Sequence, residues 1–76
     1  MMKAYILINV EVEKVEDAFE KIKKIKEIKE SHTIIGPYDI ITLVEENDLE
    51  QISNINLKKI QNVEGVIKTL TCLIVK

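Results

Sequence analysis

Within the first 30 residues the spacing of apolar side chains changes period once. From Lys3 to Val12 the period is two. Ala4, Ile6, Ile8, Val10 and Val12 fall on one side, and Tyr5, Leu7, Asn9 and Glu11 on the other. Side chains alternate across a strand, so this stretch predicts a β-strand. From Lys14 to Glu30 the apolar positions become Val15, Ala18, Phe19, Ile22, Ile25 and Ile28, with Lys and Glu between them. That spacing predicts an amphipathic helix, with Glu16 and Asp17 in the first turn, where the helix dipole favours carboxylates.

The pattern then repeats. Ser31 to Ile35 and Tyr38 to Glu46 read as strands, joined by the four residues Gly36-Pro37-Tyr38-Asp39. Asn47-Asp48 offers an N-cap for a second helix over Leu49 to Gln61, with Leu49, Ile52, Ile55 or Asn56, and Ile60 facing inward. Asn62-Val63-Glu64-Gly65 ends it, Gly65 suiting a left-handed turn, and Val66 to Val75 reads as the last strand. The order β-α-β-β-α-β predicts an α+β chain of the ferredoxin-like plan, a four-stranded antiparallel sheet with both helices on one face. At 76 residues it is expected to be a single domain, 1–76.

The uncovered face of such a sheet meets water and reads polar in an ordinary monomer. Here it does not. Tyr5 and Leu7 stand opposite the main apolar face of the first strand, Ile41 and Leu43 oppose Ile40 and Val44, and Leu70, Cys72 and Ile74 oppose Ile67, Leu73 and Val75. Strands apolar on both faces are buried on both faces. The expectation is a homodimer paired sheet against sheet, on the plan of a dimeric α/β-barrel, with Tyr5 and Leu7 at the interface. A chain this small also has little core of its own to stabilise it, which favours assembly.

Composition excludes several other roles. The net charge is −2 and there is no arginine, so no basic face for direct nucleic-acid binding is expected. The apolar start is too short to span a membrane, and no signal peptide follows from it. Cys72 and His32 are the only residues of their kinds, which leaves no metal set, no nucleophile–base pair and no cofactor motif. A lone cysteine fits a reducing, cytoplasmic setting. Catalytic and metal-binding residues are expected to be none, and the chain is not read as an enzyme.

One stretch asks for more than a turn supplies. In Gly36-Pro37-Tyr38-Asp39, Gly36 permits a positive φ, Pro37 fixes φ, and Asp39 can accept backbone N–H bonds. Tyr38 has no part in turn geometry, and an aromatic beside an exposed turn suits an intersubunit contact.

A chain of this order and size with Gly-x-Tyr-Asp between its middle strands resembles the RAM domain (regulation of amino-acid metabolism), the effector-binding and oligomerising half of the Lrp/AsnC, or feast/famine, regulators. AYILINVEV is similar to the family's first strand, TIIGPYDIITLVE to its middle hairpin, and KKIQNVEGVIKTLTCLIV to its last turn and strand, with Glu64 where the family usually has Pro. The chain looks like a stand-alone RAM domain, without the family's helix-turn-helix domain. The resemblance implies sheet-paired dimers that join into octameric or decameric rings and bind amino-acid effectors at dimer junctions. Carried onto this chain, the ligand residues are Gly36, Pro37, Tyr38 and Asp39, with Thr69 and Thr71 on the last strand. Full-length Lrp/AsnC regulators become partners by co-assembly. A small dimeric α/β-barrel enzyme and a purely structural assembly protein are the competing readings.

Overall fold

The computed structural model describes residues 1–76. Strand β1 (Met2–Val10) leads through a short 3-10 turn (Val12–Lys14) into helix α1 (Val15–Ile22). Strands β2 (Ile28–Thr33) and β3 (Ile40–Glu46) follow. Helix α2 (Leu49–Asn54) runs on into a π-helical turn (Ile55–Ile60), and β4 (Val66–Leu73) closes the chain. The sheet order is β2-β3-β1-β4, and every neighbouring pair is antiparallel. This is the ferredoxin-like arrangement that the apolar periods predict.

The core lies between the sheet and the helices. Ala4, Ile6, Ile8 and Val10 of β1 meet Ile40 and Val44 of β3, Ala18 and Ile22 of α1, and Ile52, Ile55 and Ile60 of the second helical segment. Thr42 is the only buried polar residue, and its hydroxyl donates to the Ile6 carbonyl at 3.1 Å, so burial leaves no unpaired group there.

The first helix is shorter than its apolar spacing suggests. It ends at Ile22, and β2 begins at Ile28, where the helical pattern through Glu30 predicts continuous helix. Ile25 and Ile28 do pack against the core, as the pattern requires, but from a turn and an edge strand. Pairing with β3 decides the outcome, because Ile28 lies opposite Val44 and Thr33 opposite Ile40. A strand confined to Ser31 to Ile35 would leave half of that edge without a partner. Consequently β2 stops at Thr33, β3 starts at Ile40 rather than Tyr38, and β4 ends at Leu73 rather than Val75. Val12 falls in the 3-10 turn and is 90% exposed, so it does not extend the β1 face.

Asp48 caps α2 as the sequence predicts, its Oδ1 accepting the Gln51 N–H at 2.9 Å, while Gln51 Oε1 accepts the Asn47 N–H at 3.3 Å. The two bonds satisfy end groups reciprocally. Leu49, expected to face inward, is half exposed at the first turn. The later turn widens for a packing reason. Ile55 and Ile60 are both buried but five residues apart, and in an α-helix they would point about 140° away from each other. The π turn, with Gln61 N–H reaching back five residues to the Asn56 carbonyl, brings both to the sheet. Gly65 then adopts φ +96°, as expected of the turn into β4.

Candidate functional site

The connection between β2 and β3 runs from Ile34 to Asp39 and lies beside the end of β1. The Ile34 N–H donates to the Asp39 carbonyl at 2.9 Å, and the Asp39 N–H donates to the Ile8 carbonyl at 3.0 Å. The Asp39 carboxylate is also engaged, its Oδ2 accepting the Val10 N–H at 2.8 Å. That bond falls where the register of β1 against β4 shifts between Asn9 and Val10, so Asp39 supports the ladder at an irregularity. Its other oxygen makes no hydrogen bond within the chain.

Gly36 departs from expectation. It has no positive φ, and a Cβ added there would meet nothing within 4 Å. Neither backbone strain nor crowding inside the chain requires glycine at this position. By contrast Gly65 combines φ +96° with a would-be Cβ only 2.8 Å from Lys14 Cβ, and so is demanded by the fold. The tip of the hairpin is bare backbone flanked by Ile35 and Pro37, both exposed.

Tyr38 is half-buried, with the Lys68 ammonium 5.7 Å from its ring centroid, within cation–π range. Lys68 pairs with Asn9 across the sheet, and Thr69 and Thr71 pair with Ile8 and Ile6. Directly opposed residues share a face, so Lys68 lies on the open face near Tyr38, while Thr69 and Thr71 lie on the helix-covered face. Thr69 there accepts a hydrogen bond from Gln61 Nε2 at 3.1 Å. The structure thus brings Tyr38, Asp39 and Lys68 to one end of the sheet and puts the two threonines on its reverse side. Lys68 had no local motif to flag it. Its only signal was alternation with Leu70 and Cys72, combined with a topology that lays the start of β4 beside the hairpin. Lys14, the other cation at this end, is committed to Glu64 at 3.0 Å and Glu11 at 3.6 Å. The Glu64 hydrogen bond, then the Glu11 charge, holds the Lys14 ammonium above its ordinary pKa. Lys68 has no carboxylate partner.

The open face carries two rows of side chains in register. Across the strands His32, Ile41, Leu7 and Leu70 form one row, and Glu30, Leu43, Tyr5 and Cys72 the next. Tyr5 is 39% and Leu70 45% exposed, with Leu7, Ile41 and Leu43 half-buried. Asn9 and Lys68 at one end, and Lys3 opposite Glu45 at the other, rim this apolar centre with polar groups. A contiguous apolar patch with a polar rim is the surface pattern of an interaction face. Cys72 is exposed on it, and His32 sits at the edge, 3.7 Å from Glu30. No group of three His, Cys, Asp or Glu is arranged to hold a metal ion.

No curated protein matches the chain in sequence. Among solved structures, TTHA0845 from Thermus thermophilus superposes with a TM-score of 0.93 at 30% identity, over 100% of this chain and 95% of that one. PHS023 from Pyrococcus horikoshii gives a TM-score of 0.87 at 28% identity, covering 100% of this chain and 92% of that one. The transcriptional regulator NMB0573 from Neisseria meningitidis, solved as an L-Met complex, gives 0.86 at 17% identity, covering 99% of this chain and 50% of that one, and shares the fold. The family model of the Lrp/AsnC ligand binding domain matches residues 3–76. With that match across the length of the βαββαβ fold, the chain belongs to the Lrp/AsnC ligand binding domain family.

Proposed function

We propose that the chain is a small-molecule sensing and oligomerisation module. In this reading two copies pair through their open sheet faces, with Tyr5 and Leu7 in the contact. The β2–β3 hairpin forms an intersubunit edge at which a free α-amino acid binds. The observation that carries the proposal is the hairpin itself. An unpaired Asp39 oxygen and an unpaired Lys68 ammonium flank Tyr38, next to a glycine that nothing within the chain requires.

The chemistry follows from those groups. The effector's carboxylate sits on Lys68 and the bare backbone at Gly36 and Pro37, and its ammonium on Asp39 Oδ1. Both contacts are charge-assisted and so contribute more than neutral hydrogen bonds. Tyr38 supplies an aromatic wall for the side chain. Thr69 and Thr71, on the reverse face, reach an effector only across a subunit boundary. A ligand held at such a boundary stabilises the assembly that contains it, which couples amino-acid concentration to oligomeric state. Dimers joining into octamers or decamers, or co-assembling with full-length Lrp/AsnC regulators in the cytoplasm, would turn that coupling into control of transcription. The L-Met complex of the fold relative NMB0573 supports amino acids as the ligand class.

The bond from Val10 N–H to Asp39 favours a second reading, in which the hairpin is only a brace and the module assembles without a ligand. A thermal-shift screen against the twenty standard amino acids, begun with L-methionine, separates the two. Stabilisation by a subset of them supports sensing. Stabilisation by none leaves the assembly reading and removes the sensing one.

A further inference from the structure

At the end of the sheet away from the hairpin, a cleft of about 250 Å³ lies between the end of β3, the α2 segment with its π turn, and the turn that precedes β2. That space is on the scale of one metabolite below drug size. Ile55 supplies the one apolar lining residue. Two carboxylates, Glu27 and Glu46, are matched by two ammonium groups, Lys58 and Lys59, and Gln51 and Asn54 add amides. The π turn contributes to this grouping: Lys58, four residues after Asn54, shares its face in any helix, and the wider turn brings Lys59, five residues on, toward the same side.

Several of these groups lack partners. Glu27 Oε2 accepts a hydrogen bond from Lys59 Nζ, but Oε1 is shielded from solvent and has no hydrogen-bond partner. The Lys59 hydrogen bond holds this carboxyl below the usual carboxylate range, so it is ionised at neutral pH. A shielded, ionised oxygen without a donor is an exception among protein polar groups and calls for one. The side chains of Glu46, Asn54 and Lys58 also make no hydrogen bond or ion pair within the chain.

We propose that this cleft binds a small zwitterion, its ammonium on Glu27 Oε1 and Glu46 and its carboxylate on Lys58 and the Asn54 amide. A simple anion would meet two carboxylates there, and a simple cation two ammonium groups. A molecule bearing both charges meets each with its opposite. A metal ion is disfavoured by the donor set, which has only two carboxylates and no His or Cys. Free amino acids are zwitterions of fitting size. The cleft and the hairpin would then be two separate sites for one ligand class, placed at opposite ends of β3. Its seven residues span roughly 20 Å at about 3.4 Å each. The proposal does not rest on the reading of the hairpin.

Isothermal titration calorimetry of the full chain with each of the twenty standard amino acids tests it. Lys58→Met and Asn54→Ala alter exposed side chains that have no structural partner, so both variants keep the fold; Glu27→Gln removes the charge itself. The expected result is an amino acid whose affinity falls at least about tenfold in Lys58→Met and in Glu27→Gln, the loss of one charge-assisted contact. The same losses are expected when Lys58→Met and Glu27→Gln are made in a Tyr38→Ala background, which removes the hairpin's share of the binding, and the decarboxylated amine binds more weakly. The proposal is overturned if none of the twenty binds, or if Lys58→Met and Asn54→Ala bind as the parent does. It is overturned equally if all binding disappears in Tyr38→Ala, since that result assigns the ligand to the hairpin.

Discussion

Replacing Asp39 separates its two roles. Its Oδ2 accepts the half-buried Val10 N–H at 2.8 Å, and Oδ1 has no partner. In Asp39→Ala both are lost. A hydrogen bond to a charged group contributes about 1.5–3 kcal/mol, and the Val10 N–H is left unpaired at the β1–β4 irregularity. For a domain of this size each kcal/mol is worth roughly 4–8 °C, so melting should fall by about 10–15 °C at fixed protein concentration. Asp39→Asn keeps an oxygen for the Val10 N–H and loses only the charge. A neutral hydrogen bond is worth about 1 kcal/mol, so only about 0.5–2 kcal/mol is lost and melting should fall by about 5–10 °C, less than in Asp39→Ala. The ligand response should sort differently. Both variants remove the carboxylate proposed to hold an effector's ammonium, so neither should be stabilised by any amino acid that stabilises the parent. Differential scanning calorimetry with and without those amino acids reads both effects at once. A parent-like melting temperature for Asp39→Ala would refute the brace. A parent-like ligand response in Asp39→Asn would refute the role of the charge in binding.

The two glycines should behave oppositely. Gly65→Ala forces a Cβ to 2.8 Å from Lys14 Cβ at φ +96°, and should cost more than about 1 kcal/mol and several degrees of melting. Gly36→Ala should leave melting within about 2 °C of the parent while weakening the amino-acid response, and a large loss of stability there would contradict an open hairpin tip. Leu7→Lys places a charge at the centre of the open face, pointing away from the core, so the subunit should stay folded by circular dichroism. Burying that charge in a sheet-paired contact should cost about 3–4 kcal/mol, weakening dimerisation by at least about a hundredfold in analytical ultracentrifugation, and an unchanged dimer would refute the interface. Glu27 tests the acid limb. Lys59 lowers its folded pKa below the ordinary 4.5, so the pair's stability is fully present above that value and is lost as pH falls through the lowered one. Melting of the parent and of Glu27→Gln should therefore converge as the pH is lowered from neutral to about 3, and a constant difference would contradict the pairing.

What could be read from the sequence follows from how locally each feature is encoded. Strand β1 was legible because Ala4, Ile6, Ile8 and Val10 recur at period two and are all buried, although Tyr5 and Leu7 make the other face partly apolar as well. The Asp48 cap and the Gly65 turn were legible because each is a backbone requirement met by one residue type. The end of α1 was not, because Ile25 and Ile28 continue the helical spacing through a turn and into an edge strand. Only the partner strand β3 reveals the change. The π turn was hidden for a related reason. The sequence left Ile55 or Asn56 as the inward-facing partner of Ile60, and Asn56, four residues from Ile60, fits an ordinary α-helix, so nothing local marked the wider turn. At the candidate site, Tyr38 and Asp39 were found through their short motif. Lys68 belongs to a strand far along the chain and could be placed only by the sheet order. Gly36 was read as permitting a positive φ, and the turn is built without one.

We propose that this chain assembles through an apolar sheet face and that an amino acid at the hairpin edge stabilises the assembly. Light scattering coupled to size-exclusion chromatography tests it most directly, run with and without the amino acid that gives the largest thermal shift. The expected mass is 17.6 kDa, twice the 8.8 kDa chain, or a multiple of it, with the larger species favoured when the amino acid is present. A mass of 8.8 kDa under both conditions would contradict it.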